Sequence, residues 1–430
     1  MGAAPLKVAV IGGGWSGLAA AVELAHAGVS VTVFEAAPNL GGRARGFSRN
    51  GLQLDNGQHI LLGAYRQTLQ LLRKVGVDEH RVLQRLPLRL ETPGHLLLST
   101  PRLPAPLHLA AGLLRAAGLS WAERWAALRF VIGLRKAGFR APRPQTSVAD
   151  LLASQPERLV KLLWEPLCLA ALNTPIGTAS AQVFLNVLHN SFGRARADSD
   201  LLLPRVDLSS LFPLAAADDI RARGGEVRIA ATVSTIVANH SKVEVDGEPF
   251  SHVICAVSPH NLPRLLASLP EMTPLLDQVA RLDYQPIATV YLQYPQQVAL
   301  PFPMLGMTGG FGQWVFDRGE LCKQAGLLAV VISAEGPHLQ LPQEALADAV
   351  HAELQTLLGP LSPPEWHQVI IEKRATFACV ADMQRPNHIT PHPRILIAGD
   401  YTTGDYPATL EGAVRSGVQC ATLLISQADS

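Results

Sequence analysis

The sequence predicts an α/β protein whose parallel sheet begins in a βαβ unit at the N-terminus. Residues 7–11 are mostly apolar and β-branched, which is typical of a buried strand. Residues 18–26 are rich in alanine and leucine and predict a helix, which ends at Gly28. Residues 29–34 alternate between apolar and polar side chains and predict a second strand, closed by Glu35.

The turn between the first strand and the helix carries a GxGxxG pattern. In such a unit Gly12 allows the tight turn, Gly14 lets a pyrophosphate approach the backbone, and Gly17 lets the helix pack closely on the strand. The helix N-terminus offers free N–H groups and a positive dipole to phosphates. A carboxylate at Glu35 suits an adenosine ribose and argues against the 2′-phosphate of NADP. The unit therefore predicts a dinucleotide site at Gly12, Gly14, Trp15, Ser16, Gly17 and Glu35.

Two later segments point to the same kind of ligand. Gly42 and Arg43 can bring backbone N–H groups and a cation to a pyrophosphate, although alone they fit an ordinary surface turn equally well. Near the C-terminus, residues 395–398 predict a buried strand that runs into Gly399 and Asp400. Taken alone, Asp400 fits a turn or helix cap. The small residues that follow Leu410 predict a helix start suited to close approach of a ligand.

Together these motifs resemble the FAD-dependent amine oxidase and phytoene desaturase superfamily. The resemblance implies a Rossmann-like FAD-binding domain of the amine-oxidase type, with FAD held non-covalently. It also implies a mid-chain return to this domain, which residues 224–229 and 252–259 fit, with the backbone of Val233 at the adenine. The further cofactor contacts that it implies are Gly42, Arg43, Val233, Gly399, Asp400, Leu410, Glu411 and Ala413.

The same resemblance divides the chain into a discontinuous FAD-binding domain and an inserted α+β substrate domain. The FAD-binding domain would comprise residues 1–90, 200–262 and 375–430. The substrate domain would comprise residues 91–199, which look mostly helical, and residues 263–374.

Within the second insertion, residues 287–292 and 327–332 predict strands and residues 343–358 predict a helix. The glycines at 306–312 lack a strand–turn–helix context and predict a hairpin or loop. We see one dinucleotide fingerprint and no nicotinamide-binding domain, so we expect an external electron donor.

Composition narrows the class of function. Hydrophobic residues make up 48% and charged residues 17% of the chain, which favours a large apolar interior or pocket. The net charge of +1 removes the broad electrostatic case for nucleic-acid binding. Five cysteines without a CxxC indicate a reducing compartment, and 14 scattered histidines show no metal-ligand spacing. With neither a signal peptide nor an apolar run of about 18 residues, we expect a cytoplasmic protein.

One segment could bring the chain to the inner face of a membrane as a peripheral protein. Residues 107–143 contain seven Lys or Arg and one acid, Glu123. Apolar residues recur along it at three- and four-residue spacing, at Leu114, Ala117, Trp121, Trp125, Leu128 and Ile132. Gly118 weakens the early part of this predicted helix. An apolar face beside a basic face suits a membrane surface, and a helical lid over the substrate domain is the plainer alternative.

A closer resemblance is to the hydroxysqualene dehydroxylases of squalene and hopanoid biosynthesis. It rests on residues 12–15, 54–59, 163–167, 172–175 and 406–413. It implies an isoprenoid lipid substrate, reduction of hydroxysqualene to squalene with loss of water, and possible prenyl-transferase partners in the same pathway.

Such chemistry needs an acid beside the leaving hydroxyl and a pocket poor in water, with hydride delivered from reduced FAD. The candidate acids are Asp55, His59 and Glu165. Each has a plain structural alternative: Asp55 as a loop anchor, His59 as a core histidine, and Glu165 as a helix cap or ion-pair partner.

Three other functions remain open at this stage. A carotenoid-type desaturase would oxidise a polyene with the same flavin. An amine oxidase would place a tyrosine where this chain has Thr409, so one wall of the usual aromatic cage is missing. A non-catalytic flavin-binding scaffold would hold FAD without turnover.

Overall fold

The computed structural model describes residues 6–192, 195–239, 242–295 and 298–428. In chain order its strands are β1 (Lys7–Ile11), β2 (Ser30–Phe34), β3 (Gly46–Arg49), β4 (Leu52–Asp55), β5 (Leu61–Leu62), β6 (Leu83–Leu86), β7 (Arg89–Thr92), β8 (Leu96–Ser99), β9 (Leu201–Pro204), β10 (Glu226–Arg228), β11 (Ile236–Ala238), β12 (Val243–Val245), β13 (Glu248–Phe250), β14 (His252–Cys255), β15 (Tyr284–Gln293), β16 (Met304–Gly306), β17 (Trp314–Asp317), β18 (Leu327–Ser333), β19 (Trp366–Phe377) and β20 (Ile395–Ile397).

Its α-helices are α1 (Trp15–His26), α2 (Arg66–Lys74), α3 (Glu79–Val82), α4 (Leu107–Arg115), α5 (Trp121–Lys136), α6 (Val148–Leu152), α7 (Glu157–Leu159), α8 (Glu165–Leu172), α9 (Ala181–Phe192), α10 (Leu208–Leu211), α11 (Pro213–Ala222), α12 (Leu262–Leu266), α13 (Thr273–Ala280), α14 (Arg318–Cys322), α15 (Gln343–Leu358) and α16 (Leu410–Ala428). A π-helical turn at Val160–Trp164 joins α7 to α8.

The parallel sheet has the strand order β10-β2-β1-β14-β20. Every neighbouring pair in it runs parallel, which confirms the predicted α/β class and the mid-chain return at residues 224–229 and 252–259. The central strands are buried on both faces, as their apolar sequences require. The predicted strand at 395–398 is β20, at the edge of this sheet.

Helix α1 begins at Trp15, three residues earlier than predicted, because its N-cap is Gly14. It packs against α16 so closely that a Cβ on Gly417 would lie 2.0 Å from the Ser16 carbonyl oxygen. Gly28, with φ +76, follows the helix as predicted. The N-terminal βαβ unit is therefore clamped by the last helix of the chain.

A second, antiparallel sheet has the order β16-β17-β18-β15-β19. Its predicted strands at 287–292 and 327–332 are confirmed as β15 and β18, and the predicted helix at 343–358 is α15. Of the glycines at 306–312, Gly306 ends β16 and the others lie in the connection to the antiparallel strand β17, which confirms the predicted hairpin.

The antiparallel sheet separates a small core from a large cavity. Side chains alternate along each strand, so Val290 and Val330 pack with Val350 of α15 in one apolar cluster. Their neighbours Ile287 and Val331 face the opposite way and line the cavity. Both faces of this sheet are thereby occupied, one by a helix and one by the site.

The predicted apolar helix face around residue 114 is interrupted in the structure. Helix α4 ends at Arg115, and α5 starts afresh after Ser120, whose hydroxyl accepts from the Glu123 N–H in a capping box. Gly118 causes the break, because its φ is +85 and a Cβ there would lie 1.9 Å from the His95 carbonyl oxygen. Among the described residues, no helix combines the length and apolar character needed to cross a bilayer.

Candidate functional site

A cavity of about 580 Å³ is lined by residues of both sheets and of the inserted helices. Two parts of its lining differ in chemistry. The glycine-motif wall consists of Gly12, Gly14, Ser16, Glu35 and Gly42. The apolar wall consists of Leu167, Ala170, Trp314, Phe316 and Val331. The first offers backbone groups and a carboxylate, and the second offers hydrocarbon and aromatic surface.

Close backbone approach explains the glycines. Gly12 has φ +113, and a Cβ there would lie 2.5 Å from the Ala256 carbonyl oxygen. Gly17 does not line the cavity; a Cβ there would lie 2.0 Å from the Gly12 carbonyl oxygen, so it sets the packing of α1 on β1. The predicted roles of Gly12 and Gly17 thus both concern the shape of the turn.

Glu35 lies at the cavity end of β2, where backbone amides fix its carboxylate. The N–H groups of Gly13 and Ala37 donate to its two oxygens at 2.7 and 2.8 Å. These bonds orient the side chain on the cavity lining. Val233, from the mid-chain return, lines the same cavity.

The N-terminus of α1 is open toward the cavity. Its N-cap, Gly14, has no side chain to satisfy the first amides, and both Trp15 and Ser16 line the cavity. The hydroxyl of Ser16 is buried and has no hydrogen-bond partner within the described part of the chain. A buried unsatisfied hydroxyl costs roughly 1–3 kcal/mol, so a bound phosphate oxygen would relieve it. This donor set fits the pyrophosphate of a dinucleotide.

Arg43 lines the cavity with its guanidinium already paired. It donates to the Asp400 carboxylate, and its second amino group donates to the Ala375 carbonyl oxygen at 2.9 Å. Burial lowers the pKa of Arg43, but the adjacent Asp400 carboxylate raises it, and the net direction is upward. The arginine therefore stays charged and ties residue 43 to residue 400, although they are 357 positions apart.

The N-terminus of α16 contributes Leu410 and Ala413 to the lining, together with Gly399 and Asp400 from the end of β20. Glu411 differs from its neighbours. Its side chain is fully buried behind the cavity, where it accepts from the Thr68 N–H at 2.9 Å and from Arg415 at 2.7 Å. The structure therefore places its carboxylate at the N-terminus of α2 and not in the cavity lining.

Helical spacing explains the difference. Leu410 and Ala413 are three residues apart and share a face, whereas Glu411 projects to one side. The helical spacing of these three residues in the sequence is enough to indicate that Glu411 faces away from the cavity.

Of the three predicted acids, only His59 lines the cavity. Its Nδ1 lies 2.9 Å from the Gly57 carbonyl oxygen, which can only accept, so Nδ1 carries the proton of the neutral ring. Burial lowers the pKa of His59, with a further lowering from Arg43. The ring is therefore neutral near pH 7, with Nε2 as an acceptor.

Asp55, the first predicted acid, is not part of the cavity lining. Its carboxylate accepts from the Leu208 N–H at 2.7 Å and from Arg318 at 3.0 Å, both in the interior. Burial raises the pKa of Asp55 to about 6, although Arg318 opposes that rise. Glu165 is also absent from the lining, while the next residues, Pro166 and Leu167, belong to it.

The Asp55–Arg318 pair is the centre of a network that sequence reasoning missed. Tyr291 donates to the Asp55 carbonyl oxygen at 2.8 Å, and Gln58 donates to the Tyr291 hydroxyl at 2.7 Å. Gln58 and His59 line the cavity, so the network positions the loop that carries them. Tyr291 and Arg318 lie 236 and 263 positions after Asp55, and no local pattern links them to it.

Tyr65, Tyr401 and Tyr406 also line the cavity and were not predicted. Tyr401 is buried with no hydrogen-bond partner for its hydroxyl among the described residues, and burial raises its pKa. Tyr65 and Tyr406 pack edge to face with ring centroids 6.0 Å apart. Tyr406 is the first residue of the 406–413 segment that carries the closer resemblance, which is the one signal that could have indicated it.

The described residues do not favour a metal site or a cysteine nucleophile. Among them, no group of three or more His, Cys, Asp or Glu side chains is placed to hold a metal ion. All five cysteines are free, and four of them are buried. Burial raises the pKa of Cys168, Cys255 and Cys379 to about 12, which makes these thiols poor nucleophiles.

Comparisons with known proteins agree with this geometry. The model of the family described as flavin containing amine oxidoreductase matches residues 15–425. The chain is 27% identical to the hydroxysqualene dehydroxylase of Zymomonas mobilis, over 97% of this chain and 98% of that protein. It is 28% identical to the hydroxysqualene dehydroxylase of Rhodopseudomonas palustris, over the same shares of both chains.

A more distant relative is the 15-cis-phytoene desaturase of Arabidopsis thaliana, 25% identical over 98% of this chain and 80% of that protein. Among solved structures, an oxidoreductase from Methanosarcina mazei superposes with a TM-score of 0.74 at 18% identity, over 97% of this chain and 100% of that one. Putrescine oxidase bound to putrescine superposes with a TM-score of 0.71 at 19% identity, over 98% and 99%. At these identities the structural likeness shows the fold alone.

Proposed function

This chain belongs to the flavin containing amine oxidoreductase family, and from that premise we propose that it reduces hydroxysqualene to squalene with loss of water. Membership makes it an FAD-dependent oxidoreductase with a Rossmann-like cofactor domain. One observation carries the choice of substrate: the dinucleotide motifs open into the same cavity as the apolar wall. Similarity to hydroxysqualene dehydroxylases over nearly the whole chain supports it.

The residues that would hold FAD are those of the glycine-motif wall and the N-terminus of α16. We assign the ribose to Glu35, the pyrophosphate to the start of α1, and the adenine to the backbone of Val233. Bound FAD supplies the hydride that replaces the hydroxyl. The remaining contacts that we propose are Trp15, Gly42, Arg43, Gly399, Asp400, Leu410 and Ala413.

His59 handles the proton in this proposal. In its neutral form Nε2 accepts a hydrogen bond from the substrate hydroxyl, and in its imidazolium form it can protonate that hydroxyl as it departs. Because the pKa of His59 is lowered, the imidazolium form becomes abundant only below the ordinary histidine value of 6.5. We therefore expect dehydroxylation to accelerate as the pH falls below that value.

The apolar wall would hold the isoprenoid chain and keep water from the reacting carbon. Leu167 and Ala170 come from α8, and Trp314, Phe316 and Val331 come from the antiparallel sheet. The cavity has Thr409 at the position where an amine oxidase would have a tyrosine, so this wall of an amine-binding cage is missing. These features favour a lipid over an amine.

The test is a single turnover without oxygen. Purified holoprotein, chemically reduced, is mixed with hydroxysqualene while flavin absorbance and lipid products are followed. Reoxidation with squalene formation is expected. If the flavin stays reduced while FAD remains bound, the proposal fails, and conversion of phytoene would then identify a desaturase instead.

The His59→Gln variant tests the proton role in the same assay. Loss of a general acid slows such a step by roughly 100-fold or more. We expect FAD content to be retained and the rise in rate below pH 6.5 to disappear. An unchanged pH profile would exclude His59 as the acid, even if the overall rate falls.

Four further parts of the proposal concern the electron donor, the partner proteins, the location in the cell and the domain bounds. We infer that electrons come from an external donor, since the sequence carries one dinucleotide fingerprint, and that prenyl transferases of the same pathway are partners of this protein. The free cysteines support a cytoplasmic location. We keep the FAD-binding domain at residues 1–90, 200–262 and 375–430, and the substrate domain at 91–199 and 263–374.

A further inference from the structure

The exposed large hydrophobic side chains of this protein are concentrated in one segment. Of nine such residues in the described part of the chain, five lie between residues 103 and 132. We call this set the α4–α5 face: Leu103, Leu107, Trp121, Trp125 and Ile132. Trp121 is 64% exposed and Trp125 is 50% exposed, which is unusual for the largest apolar side chain.

The exposure of these tryptophans does not reflect a loosely attached helix. The opposite side of α5 buries Ala127 and Leu134 in the main core. Phe130 packs on the Trp164 ring with centroids 5.3 Å apart. The N-terminus of α5 is fixed by its capping box and by the Glu123–Arg158 ion pair at 3.0 Å. Helix α5 is therefore apolar on two sides, of which the protein core covers only one.

The spacing of the exposed residues makes a continuous strip. Trp121 and Trp125 are four residues apart and Ile132 follows after seven, so all three lie along one side of α5. The guanidinium of Arg124 stacks on the Trp121 ring at 4.9 Å and donates to the Leu119 carbonyl oxygen. That contact holds an aromatic ring outward beside a cation, as in residues that sit at a membrane interface.

The charge around the α4–α5 face has one sign. From residue 101 to residue 143 the chain has eight Lys or Arg and a single acid, Glu123, which is buried. Arg129, Arg135 and Lys136 are exposed on α5 and form no ion pair with any described residue. The surface therefore complements a partner that presents negative charge around an apolar interior, which is the chemistry of an anionic lipid bilayer.

The α4–α5 face lies on the outer side of the cavity wall. Helix α5 packs on the π-helical turn through Phe130 and Trp164, and that turn supplies Leu162 and Leu163 to the cavity lining. Helix α4 packs on β8, which supplies Leu96. The same two helices thus separate the apolar cavity from the exposed tryptophans.

We propose that the α4–α5 face docks on an anionic lipid bilayer, with Trp121 and Trp125 in the interface and the flanking cations at the headgroups. The inference rests on the proposed function in one respect: an isoprenoid lipid resides in the bilayer and would enter the cavity from there. It identifies the surface from which the substrate arrives.

Vesicle flotation of the FAD-loaded protein tests this docking. Wild-type protein should float with phosphatidylcholine vesicles that contain phosphatidylglycerol, and less with phosphatidylcholine alone or at high salt. Trp121→Ser with Trp125→Ser should weaken binding by roughly tenfold or more. Val237→Ser with Ile389→Ser, at equally exposed sites outside the face, should bind like wild type.

A charge variant separates the two contributions. Arg129→Gln, Arg135→Gln and Lys136→Gln together should weaken binding to the anionic vesicles by roughly fivefold per cation, with little effect on neutral vesicles. FAD content and melting temperature should stay unchanged in both the tryptophan and the charge variants. Failure of wild type to float, as expected if the face binds an acidic protein instead, would overturn the proposal. So would unaltered flotation of the tryptophan variant.

Turnover distinguishes a failure of docking from a failure of the proposed function. With hydroxysqualene in detergent micelles, the tryptophan variant should turn over like wild type. With hydroxysqualene embedded in anionic vesicles, it should be at least roughly tenfold slower, matching the loss of binding. Equal rates from vesicles would overturn the docking proposal, and absence of turnover from both sources in wild type would overturn the function.

Discussion

The glycine-motif wall and the apolar wall enclose one cavity by opposite means. The first is built largely from backbone brought so close that a side chain is excluded, as at Gly12, where a Cβ would lie 2.5 Å from the Ala256 carbonyl oxygen. The second is built from side chains of distant segments, such as Leu167 and Phe316. A wall made of backbone tolerates almost no substitution, and its residues form a short local motif in the sequence. A wall made of side chains tolerates change and is assembled only by the fold.

The largest effect should be the loss of FAD when a single methyl group is added at Gly17, behind the glycine-motif wall. Gly17→Ala places Cβ 2.0 Å from the Gly12 carbonyl oxygen, which is backbone and cannot move aside. Overpacking of this kind costs roughly 1–3 kcal/mol or more, and here it also displaces the phosphate-binding turn. We expect purified protein nearly free of FAD, judged by visible absorbance. Gly133→Ala, which meets nothing within 4 Å, is the control; normal FAD content in Gly17→Ala would refute the comparison.

The next largest effect should come from the network behind the two walls. Arg318→Met leaves the buried Asp55 carboxylate without its cation, which costs about 3–5 kcal/mol in the free energy of unfolding. Urea denaturation at pH 8 would measure it. Adding Asp55→Leu removes the stranded charge and should recover most of the loss. Equal instability in the double variant would mean that the pair itself, rather than an uncompensated charge, supports the loop.

The pH dependence of stability provides a second measure of the cost of burying the charged Asp55 carboxylate. The folded-state pKa of Asp55 is raised to about 6 from an ordinary 3.8. A raised pKa stabilises the fold fully below the ordinary value, and that contribution is lost as the pH rises through 6. Relative to Asp55→Asn, the unfolding free energy of wild type should therefore fall by about 2 kcal/mol between pH 4 and pH 7. A constant difference across that range would show that Arg318 fully offsets burial.

The smallest effect should come from the apolar wall. Leu167→Ala removes hydrocarbon from a partly buried position and should raise KM for hydroxysqualene roughly five- to tenfold, with kcat and FAD content unchanged. Leu214→Ala, at an exposed site away from the cavity, is the control. A loss of FAD in Leu167→Ala would mean that the two walls are not separable.

What the sequence could predict follows the same division. The Glu35 carboxylate and the Gly13 N–H that it binds lie 22 positions apart within one βαβ unit, so spacing alone placed the carboxylate at the cavity. Asp55 and Arg318 lie 263 positions apart, and neither carries a motif for the other. The predicted strands at 287–292, 327–332 and 395–398 rest on local periodicity and were confirmed. The predicted helix around residue 114 also rests on periodicity, but the structure interrupts it. The choice among the candidate acids depends on which side chains reach the cavity, and of the three only His59 lines it.

Gly118 shows a third case, in which a weak local signal had a large effect. The apolar spacing continues through it, and the sequence prediction treated it as a weakened helix. The helix instead ends, because the β8 hairpin passes so close that only glycine fits beside His95. A neighbour that is distant in sequence decided the conformation, which periodicity within the segment does not encode.

The order of strands in the parallel sheet has a consequence for how the protein is made. Strand β1 pairs on one side with β2 and on the other with β14. Strand β14 in turn pairs with β20, which comes about 140 residues later in the chain. On the ribosome, the first βαβ unit therefore emerges long before the helix that clamps it, α16, has been synthesised. The nascent chain cannot close its cofactor site before β20 and α16 have emerged, so FAD can be captured only after both of these elements are in place.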